Sequence, residues 1–474
     1  MNYNLPDLNK AKFRSRYQAP IIRDPVKLTE KQRQLGRGLF YHVITYGCQA
    51  NVRDGEVISG ILEEMGYQPT EMLEKADIII LNTCAIRDNA EKRVLGEIGF
   101  LQNYKQRKKS LILGVCGCMA QEEVVVEKIL KSHPTVQLIF GTHNLPEIPA
   151  MIEKIMETNK KSVSVYSMQG NIYEGLPSRR SLPHKASVSI MDGCDKFCTY
   201  CIVPYTRGQQ RSRLMNDILE EVRDLKESGY KEILLLGQNV NAYGKELDGN
   251  GDFADLLEKT AQMGIERIRF MTSHPWDFTE RMVDVIGTYS NIMPYIHLPL
   301  QSGNNEILKL MGRRYTRDQY KELYDKLVAR IPEVSISTDI IVGFPNETEQ
   351  QFLDTLDIVE YCKYDNAFSF IFSPRPGTPA ARMEDATPLE EKKDRLLRLN
   401  ERLDYYSKIQ NQKWENRTVK VLVDGPSKNN PEIYSGYTPQ QKLVNFVKKE
   451  AAVGDIIDVL ITEAKKNSLN GIQL

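Results

Sequence analysis

The chain reads as an α/β protein of three modules: a flavodoxin-like N-terminal domain, a partial TIM-type (βα)6 barrel, and a small antiparallel, OB-like β-barrel at the C-terminus. Three observations predict this. Short β-rich runs alternate with helical stretches over residues 39–160, six strand-like runs separated by helices fill residues 186–412, and four short β-like stretches occupy residues 413–474. With 474 residues, 41% of them hydrophobic, the chain exceeds one ordinary core and is expected to divide.

Residues 1–38 read as a basic extension. Pro6, Pro20 and Pro25 interrupt it, and Arg14, Arg16, Arg23, Lys27, Lys31, Arg33 and Arg37 outnumber its acids. It suits either a segment packed on the body or an arm touching RNA phosphates. In the first domain the runs Phe40 to Thr45, Asp77 to Leu81, Leu111 to Val115 and Val136 to Phe140 alternate with helical stretches at Val57 to Met65, Asn89 to Tyr104 and Glu122 to Lys131, which predicts a parallel sheet with crossover helices. Residues 161–185, with Gly170, Gly175, Pro177 and Pro183, read as a linker.

The barrel strands are expected at Ser187 to Met191, Glu232 to Leu236, Arg267 to Thr272, Tyr295 to Pro299, Ser335 to Val342 and Ala367 to Phe372. In such barrels the active site lies at the strand C-terminal ends. After the helical run Leu389 to Lys413, β-like stretches at Thr418 to Val423, Glu432 to Tyr437, Leu443 to Val447 and Asp455 to Thr462 are separated by Gly425-Pro426, Asn429-Asn430 and Val453-Gly454.

Composition narrows the function. Formal net charge is zero, so any nucleic-acid surface must be local. Eight cysteines are too few for a disulfide scaffold, and the N-terminal residues form no apolar signal core. No apolar run is long enough to span a membrane. A cytoplasmic enzyme with reduced thiols and no membrane association is the expectation.

The cysteines carry the chemistry. Cys194, Cys198 and Cys201 stand in Gly193-Cys-Asp-Lys-Phe-Cys-Thr-Tyr-Cys-Ile-Val-Pro-Tyr-Thr-Arg-Gly208. Three thiolates at this spacing suit three irons of a cubic iron-sulfur cluster and leave the fourth iron open to a substrate. A closed zinc site wants four ligands, and the nearest histidines, His184 and His274, lie outside the run. Three further cysteines follow successive strands of the first domain: Cys48 in Thr45-Tyr-Gly-Cys-Gln-Ala-Asn51, Cys84 in Leu81-Asn-Thr-Cys-Ala-Ile-Arg87, and Cys118 in Val115-Cys-Gly-Cys-Met-Ala-Gln121. Ligands gather beyond the carboxyl ends of strands in such sheets, and one shared cluster accounts for all three. Cys116 and Cys362 read as core residues.

The polar residues after the barrel strands converge on one cavity: Gly237, Gln238 and Asn239; Ser273 and His274; Gln301-Ser-Gly303; and Gly343-Phe-Pro345. Ser273 and His274 suit either a hydrogen bond to cofactor or substrate or a turn before Pro275. Asp339 suits a ribose contact or a satisfied buried carboxylate. Arg207, Arg211 and Arg213 suit a cofactor carboxylate, RNA phosphate or plain surface cover. In the terminal barrel, Lys442, Asn445, Phe446, Lys448 and Lys449 are the candidate RNA surface, against the alternative of an ordinary β-edge.

The cysteine triplet, with aromatic Tyr200 before the last cysteine, resembles that of the radical S-adenosylmethionine (radical SAM) enzymes. The order of modules over residues 39–474, with Thr272-Ser-His-Pro275 and His297-Leu-Pro-Leu-Gln-Ser-Gly303, is similar to the radical SAM methylthiotransferases, and most to the branch acting on tRNA adenosine. The resemblance implies a methylthiotransferase N-terminal domain, a radical SAM core and a C-terminal RNA-binding TRAM domain. It implies methylthiolation of carbon 2 of an N6-isopentenyladenosine beside the anticodon, two 4Fe-4S clusters, and two S-adenosylmethionine molecules per product. By motif, Cys194, Cys198 and Cys201 would hold the radical cluster and Cys48, Cys84 and Cys118 the auxiliary one. Tyr200, Gly237, Gln238, Asn239, Ser273, His274 and Asp339 would surround the cofactor.

The implied partners are tRNA, an electron donor such as flavodoxin or ferredoxin, and a sulfur donor, with the enzyme as a monomer. Ala50 stands where this family usually has methionine, the usual acidic residue is absent from the Gly237 segment, and Cys116 is an extra thiol. The alternatives are a methylthiotransferase for threonylcarbamoyl adenosine or a ribosomal-protein aspartate, and a non-enzymatic iron-sulfur RNA-binding redox sensor.

Overall fold

A computed structural model describes residues 3–13, 18–85, 88–167, 170–249, 251–427 and 430–474. Arg14 and Arg16 of the basic extension, Ile86-Arg87 and Asn429 lie outside the described residues. The chain divides into two compact units: residues 1–181, 191–197 and 201–213, and residues 182–190, 198–200 and 214–474.

The first unit is built on a six-stranded parallel sheet in the order Gln68–Pro69, Phe40–Tyr46, Ile78–Thr83, Ile112–Gly117, Val136–Phe140, Ser162–Ser164. This is the doubly wound, flavodoxin-like order, and it follows from strands apolar on both faces. Alternate residues of one strand feed opposite cores. Ile78 and Ile80 pack with Val57, Ile58 and Ile61 of helix Gln49–Glu64 and with Ile148 and Ile152 of helix Ile148–Thr158. Ile79 and Leu81 pack with Val94 and Ile98 of helix Asp88–Arg107 and with Val125 and Ile129 of helix Glu123–Ser132.

The extension packs on this unit. Ile21–Arg23 pairs in parallel with Ile172–Glu174, helix Glu30–Gln34 starts in a Thr29/Gln32 capping box, and Val26, Leu28 and Leu35 lie against the core. Part of the stretch expected as linker is structured too, since Ser162–Ser164 is the sheet edge.

The second unit carries six parallel strands in two three-stranded sheets, Arg267–Phe270, Glu232–Leu236, Lys185–Ser189 and Tyr295–His297, Ser335–Val342, Asn366–Ile371. Helices such as Met215–Glu227, Phe253–Gln262, Arg317–Arg330 and Glu349–Cys362 follow the strands. Three strands stop two residues earlier than expected, at Ser189, Phe270 and His297. Thr272 adopts a φ of 72°, a left-handed value that breaks a strand and is sparsely populated for a β-branched residue.

The terminal barrel is closed, in the order Thr418–Pro426, Ile433–Tyr437, Leu443–Val447, Leu469–Gln473, Ile456–Ala464. Leu469–Gln473 is an additional strand and runs parallel to Leu443–Val447, whereas the other neighbours are antiparallel. Trp414, Val421, Val444, Phe446, Val459 and Ile461 fill its core. It is tied to the N-terminal ends of the (βα)6 strands. Arg267 donates to the carbonyls of Tyr437 at 2.7 Å and Lys420 at 3.2 Å, and Lys442 pairs with Asp365 at 2.7 Å.

Candidate cluster and cofactor sites

In the first unit, three strands end together and deliver Cys48, Cys84 and Cys118 to one place. Gly47, at φ 136°, passes so close to Cys84 that a Cβ there would collide with the cysteine Cβ. Gly117, at φ 90°, ends the strand Ile112–Gly117 and turns Cys118 into a short 3-10 helix, Cys118–Gln121. Cys116 stays on the strand, fully buried in the sheet core, and burial pushes its thiol well above the ordinary range.

Asn51 braces this end of the sheet. Its Oδ1 accepts from Cys48 Sγ at 3.2 Å, and its Nδ2 donates to Thr83 O at 2.9 Å. Arg207 supplies the charge: its Nε donates to Cys118 Sγ at 3.3 Å while its guanidinium pairs with Asp54. A hydrogen bond from Cys84, helped by the Arg207 charge, holds the Cys48 thiol down at about 5 against burial. Burial pushes Cys118 up to about 11, with Arg207 opposing it.

Three soft donors, one of them poised as thiolate beside a cation, fit a thiophilic metal cluster. Among the described residues no three His, Cys, Asp or Glu gather around a single-ion position. A cluster asks for no such position, because each thiolate takes a different iron.

The loop with the second triplet leaves its strand through Gly193, at φ 75°, where a Cβ would strike the Gln209 carbonyl. Met191–Asp192 pairs antiparallel with Arg211–Ser212, and Cys194 N donates to Gly208 O at 3.2 Å, which draws this part of the loop into a closed turn. Cys194 and Cys201 fall in the first unit and Cys198 in the second. Arg211 is buried and donates to the carbonyls of Arg207 and Gln209, while Arg213 forms a fork with Glu174. These two arginines are thus structural braces of the loop.

In the second unit, Cys198 is buried and faces Arg313, whose Nη1 lies 3.8 Å from its Sγ. Arg313 also donates to Tyr315 Oη at 3.1 Å and to Pro299 O at 2.9 Å. The sequence reading missed Arg313, Tyr315, Asn51 and Asp54. The Gly312-Arg-Arg-Tyr315 run after the helix Asn305–Leu310 was the available signal for the first two.

Tyr200 packs with Met311, Phe344 and Phe372. Gln238 Oε1, Asn239 Oδ1, Asn241 Oδ1 and Ser273 Oγ are buried and lack a partner among the described residues. Buried polar atoms are normally satisfied, so this cluster beyond Glu232–Leu236 and Arg267–Phe270 is a fit for a polar ligand such as S-adenosylmethionine. Asn239 also donates to Asp277 at 2.7 Å, and His274 Nδ1 accepts from Trp276 N at 3.3 Å, a turn-stabilising contact. Asp339 is paired with His297 at 3.3 Å.

The barrel residues separate into two groups. Phe446 is buried in the barrel core and Lys442 is buried against Asp365, so neither offers RNA an exposed face. Strand alternation puts Phe446 on the inward face with Val444, and Lys442, just before the strand, is covered through its pair with Asp365. Lys448 and Lys449 are exposed, and the Lys448 ammonium lies 4.9 Å from the centre of the Tyr434 ring.

Residues 188–359 match the Radical SAM superfamily, residues 40–141 the Uncharacterized protein family UPF0004, and residues 412–474 the TRAM domain. The superfamily match implies a 4Fe-4S cluster and S-adenosylmethionine. In fold, the chain is similar to a radical S-adenosylmethionine methyltransferase, TsrM, from Kitasatospora setae, with TM-score 0.54 and 12% identity over 73% of this chain and 74% of that one. No helix of the described residues is long and apolar enough to cross a membrane.

The chain is 52% identical over 473 residues to a tRNA-2-methylthio-N(6)-dimethylallyladenosine synthase of Bacillus cytotoxicus, covering 99% of this chain and 92% of that protein. It is 50% identical over 470 residues to the one of Staphylococcus saprophyticus, covering 99% and 91%. Identity of this depth along nearly the whole of both sequences makes the chain a member of the tRNA-2-methylthio-N(6)-dimethylallyladenosine synthase family of radical SAM methylthiotransferases.

Proposed function

We propose that this enzyme methylthiolates carbon 2 of N6-isopentenyladenosine next to the anticodon of tRNA, giving 2-methylthio-N6-isopentenyladenosine. The observation that carries this reading is one chain holding two separate sets of three thiols, one at the strand ends of a doubly wound sheet and one in a three-cysteine loop. The names of its half-identical relatives support this substrate over threonylcarbamoyl adenosine or a protein aspartate.

The adenine C2–H bond is strong and nonacidic, so acid–base residues alone cannot activate it. When bound, the two 4Fe-4S clusters and two S-adenosylmethionine molecules supply methyl transfer to sulfur and radical hydrogen abstraction. The chain's residues hold and orient these groups. Cys194, Cys198 and Cys201 would hold the radical cluster, and Cys48, Cys84 and Cys118 the auxiliary one. Arg207 and Arg313 place a positive charge beside one cysteine of each set. Gln238, Asn239 and Ser273 offer buried polar atoms to the cofactor, with Tyr200, Gly237, His274 and Asp339 around them. Lys448 and Lys449 contact tRNA phosphate.

The domains of this reading are residues 39–160, 186–412 and 413–474. A low-potential donor such as flavodoxin or ferredoxin, a sulfur donor, a monomeric state and a cytoplasmic location complete it. Mass spectrometry of tRNA nucleosides from a deletion strain, with and without the gene restored, tests the proposal. Loss and return of 2-methylthio-N6-isopentenyladenosine is expected, and unchanged nucleosides would overturn it.

A further inference from the structure

Trp276 is 44% exposed although its neighbours on both sides are pinned. Pro275 and Asp277 are buried, and Asp277 accepts from Asn239 at 2.7 Å and from Lys245 at 2.6 Å. The indole is thus held outward by a rigid 3-10 turn, Pro275–Asp277, immediately beyond the C-terminal end of the strand Arg267–Phe270. Arg314 lies over it, with the guanidinium carbon 5.1 Å from the ring centre. Arg314 is itself exposed and fixed between two buried residues, Arg313 and Tyr315. Those two are hydrogen-bonded to the carbonyls of Pro299 and Leu300, and Arg313 reaches Cys198 Sγ at 3.8 Å. His274 stands 6.0 Å from Tyr315, ring centre to ring centre. A cavity of about 250 Å³ opens beside the pair, lined by Trp276, Arg314, Tyr315, Phe278, Glu280 and Lys326.

The exposed face of the indole adds nothing to the buried core, whereas a preorganised indole and guanidinium plane form a stacking platform for an unpaired base. Single-stranded RNA is recognised chiefly by such stacking, because loop bases are splayed from their neighbours. The cavity wall carries two carboxylates, Glu280 and Glu322, balanced by two cations, Arg314 and Lys326, and Lys326 and Arg330 pair with Glu280 at 2.7 Å and 3.4 Å.

We infer that Trp276 and Arg314 form a base-binding site that stacks an unpaired anticodon-loop nucleotide flanking the target adenosine. Of the residues adjoining the stack, Arg313 reaches Cys198 and Tyr315 holds Arg313, so the platform stands at the reacting end of the strands. The inference rests on the proposed tRNA substrate and assigns the residues that seat its loop.

The chain has two tryptophans, and the other, Trp414, is 8% exposed in the barrel core, so the difference between wild type and Trp276→Phe in fluorescence change on RNA binding reports Trp276. The cluster-loaded full chain is titrated with an anticodon stem-loop carrying N6-isopentenyladenosine. The wild type is expected to show quenching that is absent in Trp276→Phe, with the Phe variant binding within about 3-fold of wild type because it still offers a ring. Trp276→Ala is expected to bind about 10-fold more weakly with an unchanged salt slope, since every phosphate contact is kept. Circular dichroism melting shows whether each variant is folded. Wild-type affinity in Trp276→Ala, or equal quenching in wild type and Trp276→Phe, overturns the inference. So does a Trp276→Ala enzyme impaired only in accepting electrons, which would mark a protein-docking surface. If wild type fails to methylthiolate the stem-loop, the underlying functional reading falls and takes this inference with it. If it does methylthiolate it without quenching, only the stacking assignment falls.

Discussion

Arg207 donates through Nε to the Sγ of Cys118 at 3.3 Å, although the two residues lie 89 positions apart. Both are buried, and the other edge of the guanidinium pairs with Asp54. Removing one member of a buried pair strands the other charge, which typically costs about 3–5 kcal/mol. Arg207→Ala is therefore expected to destabilise the first unit by about 3 kcal/mol and to lower its iron content. The double variant Arg207→Ala/Asp54→Asn should recover part of the stability, because the stranded carboxylate is gone. Denaturant unfolding and iron analysis of the three proteins check this, and a double variant less stable than Arg207→Ala contradicts it.

Two kinds of lysine in the terminal barrel should behave oppositely. Lys448 and Lys449 are exposed, so Lys448→Ala/Lys449→Ala is expected to leave the melting temperature alone and weaken tRNA binding. The slope of log affinity against log salt should fall by roughly 1 for each phosphate that loses its lysine. Lys442 is buried and paired with Asp365 at 2.7 Å, so Lys442→Ala should destabilise by about 3 kcal/mol without changing the salt slope. Filter binding over a salt series, set beside thermal melts, separates the two. Equal effects from both substitutions would remove the distinction.

These two groups also show where the sequence was legible. The strand runs of the first domain and the (βα)6 barrel are dense in Ile, Val and Leu, and a hydrophobic run between turn residues marks its own strand. Strand-end cysteines were equally readable, because topology places ligands there. The edge strands Gln68–Pro69 and Ser162–Ser164, and the Leu469–Gln473 strand with its Asn470 and Gly471, are short or polar and depend on neighbours already in place. Arg207 with Asp54, 153 positions apart, and Arg313 with Cys198, 115 apart, are products of the tertiary fold that no local pattern encodes. Lys442 and Phe446 were misplaced for different reasons: period-two alternation already placed Phe446 on the face of Val444, whereas the partner that covers Lys442, Asp365, lies far away in sequence.

Acid should weaken the contact between the terminal barrel and the strand Lys185–Ser189. Burial pushes the Asp424 carboxyl up, but the His184 hydrogen bond at 3.0 Å and the Lys185 charge outweigh it and hold Asp424 below the ordinary carboxylate range. A depressed folded-state value means that the stabilisation is complete above the unfolded value, about 3.9, and is lost as pH falls through the folded value. Wild type should therefore exceed Asp424→Asn in stability at neutral pH, and the two should converge below the folded value. Urea unfolding followed by circular dichroism measures this. A gap that widens on acidification would reverse the sign.

The two thiol sets should separate by reaction step. Replacing Cys194, Cys198 and Cys201 together by alanine is expected to leave about half of the roughly eight irons of two 4Fe-4S clusters, because Cys48, Cys84 and Cys118 sit on a different fold element. Cys84→Ala should abolish both the methylthio product and methyl transfer to protein-bound sulfide, and should retain part of the 5′-deoxyadenosine formation. Cys198→Ala should block 5′-deoxyadenosine and still permit S-adenosylhomocysteine, provided that methyl transfer needs only cofactor bound near the auxiliary set. Chromatography of both by-products, with mass spectrometry of the tRNA nucleosides, reads all of these in one experiment. Loss of S-adenosylhomocysteine in Cys198→Ala would show that both cofactor molecules depend on the radical site. A Cys84→Ala enzyme that still makes methylthiolated tRNA would falsify the assignment of Cys48, Cys84 and Cys118 to the sulfur-carrying cluster, since only two thiols of that set remain.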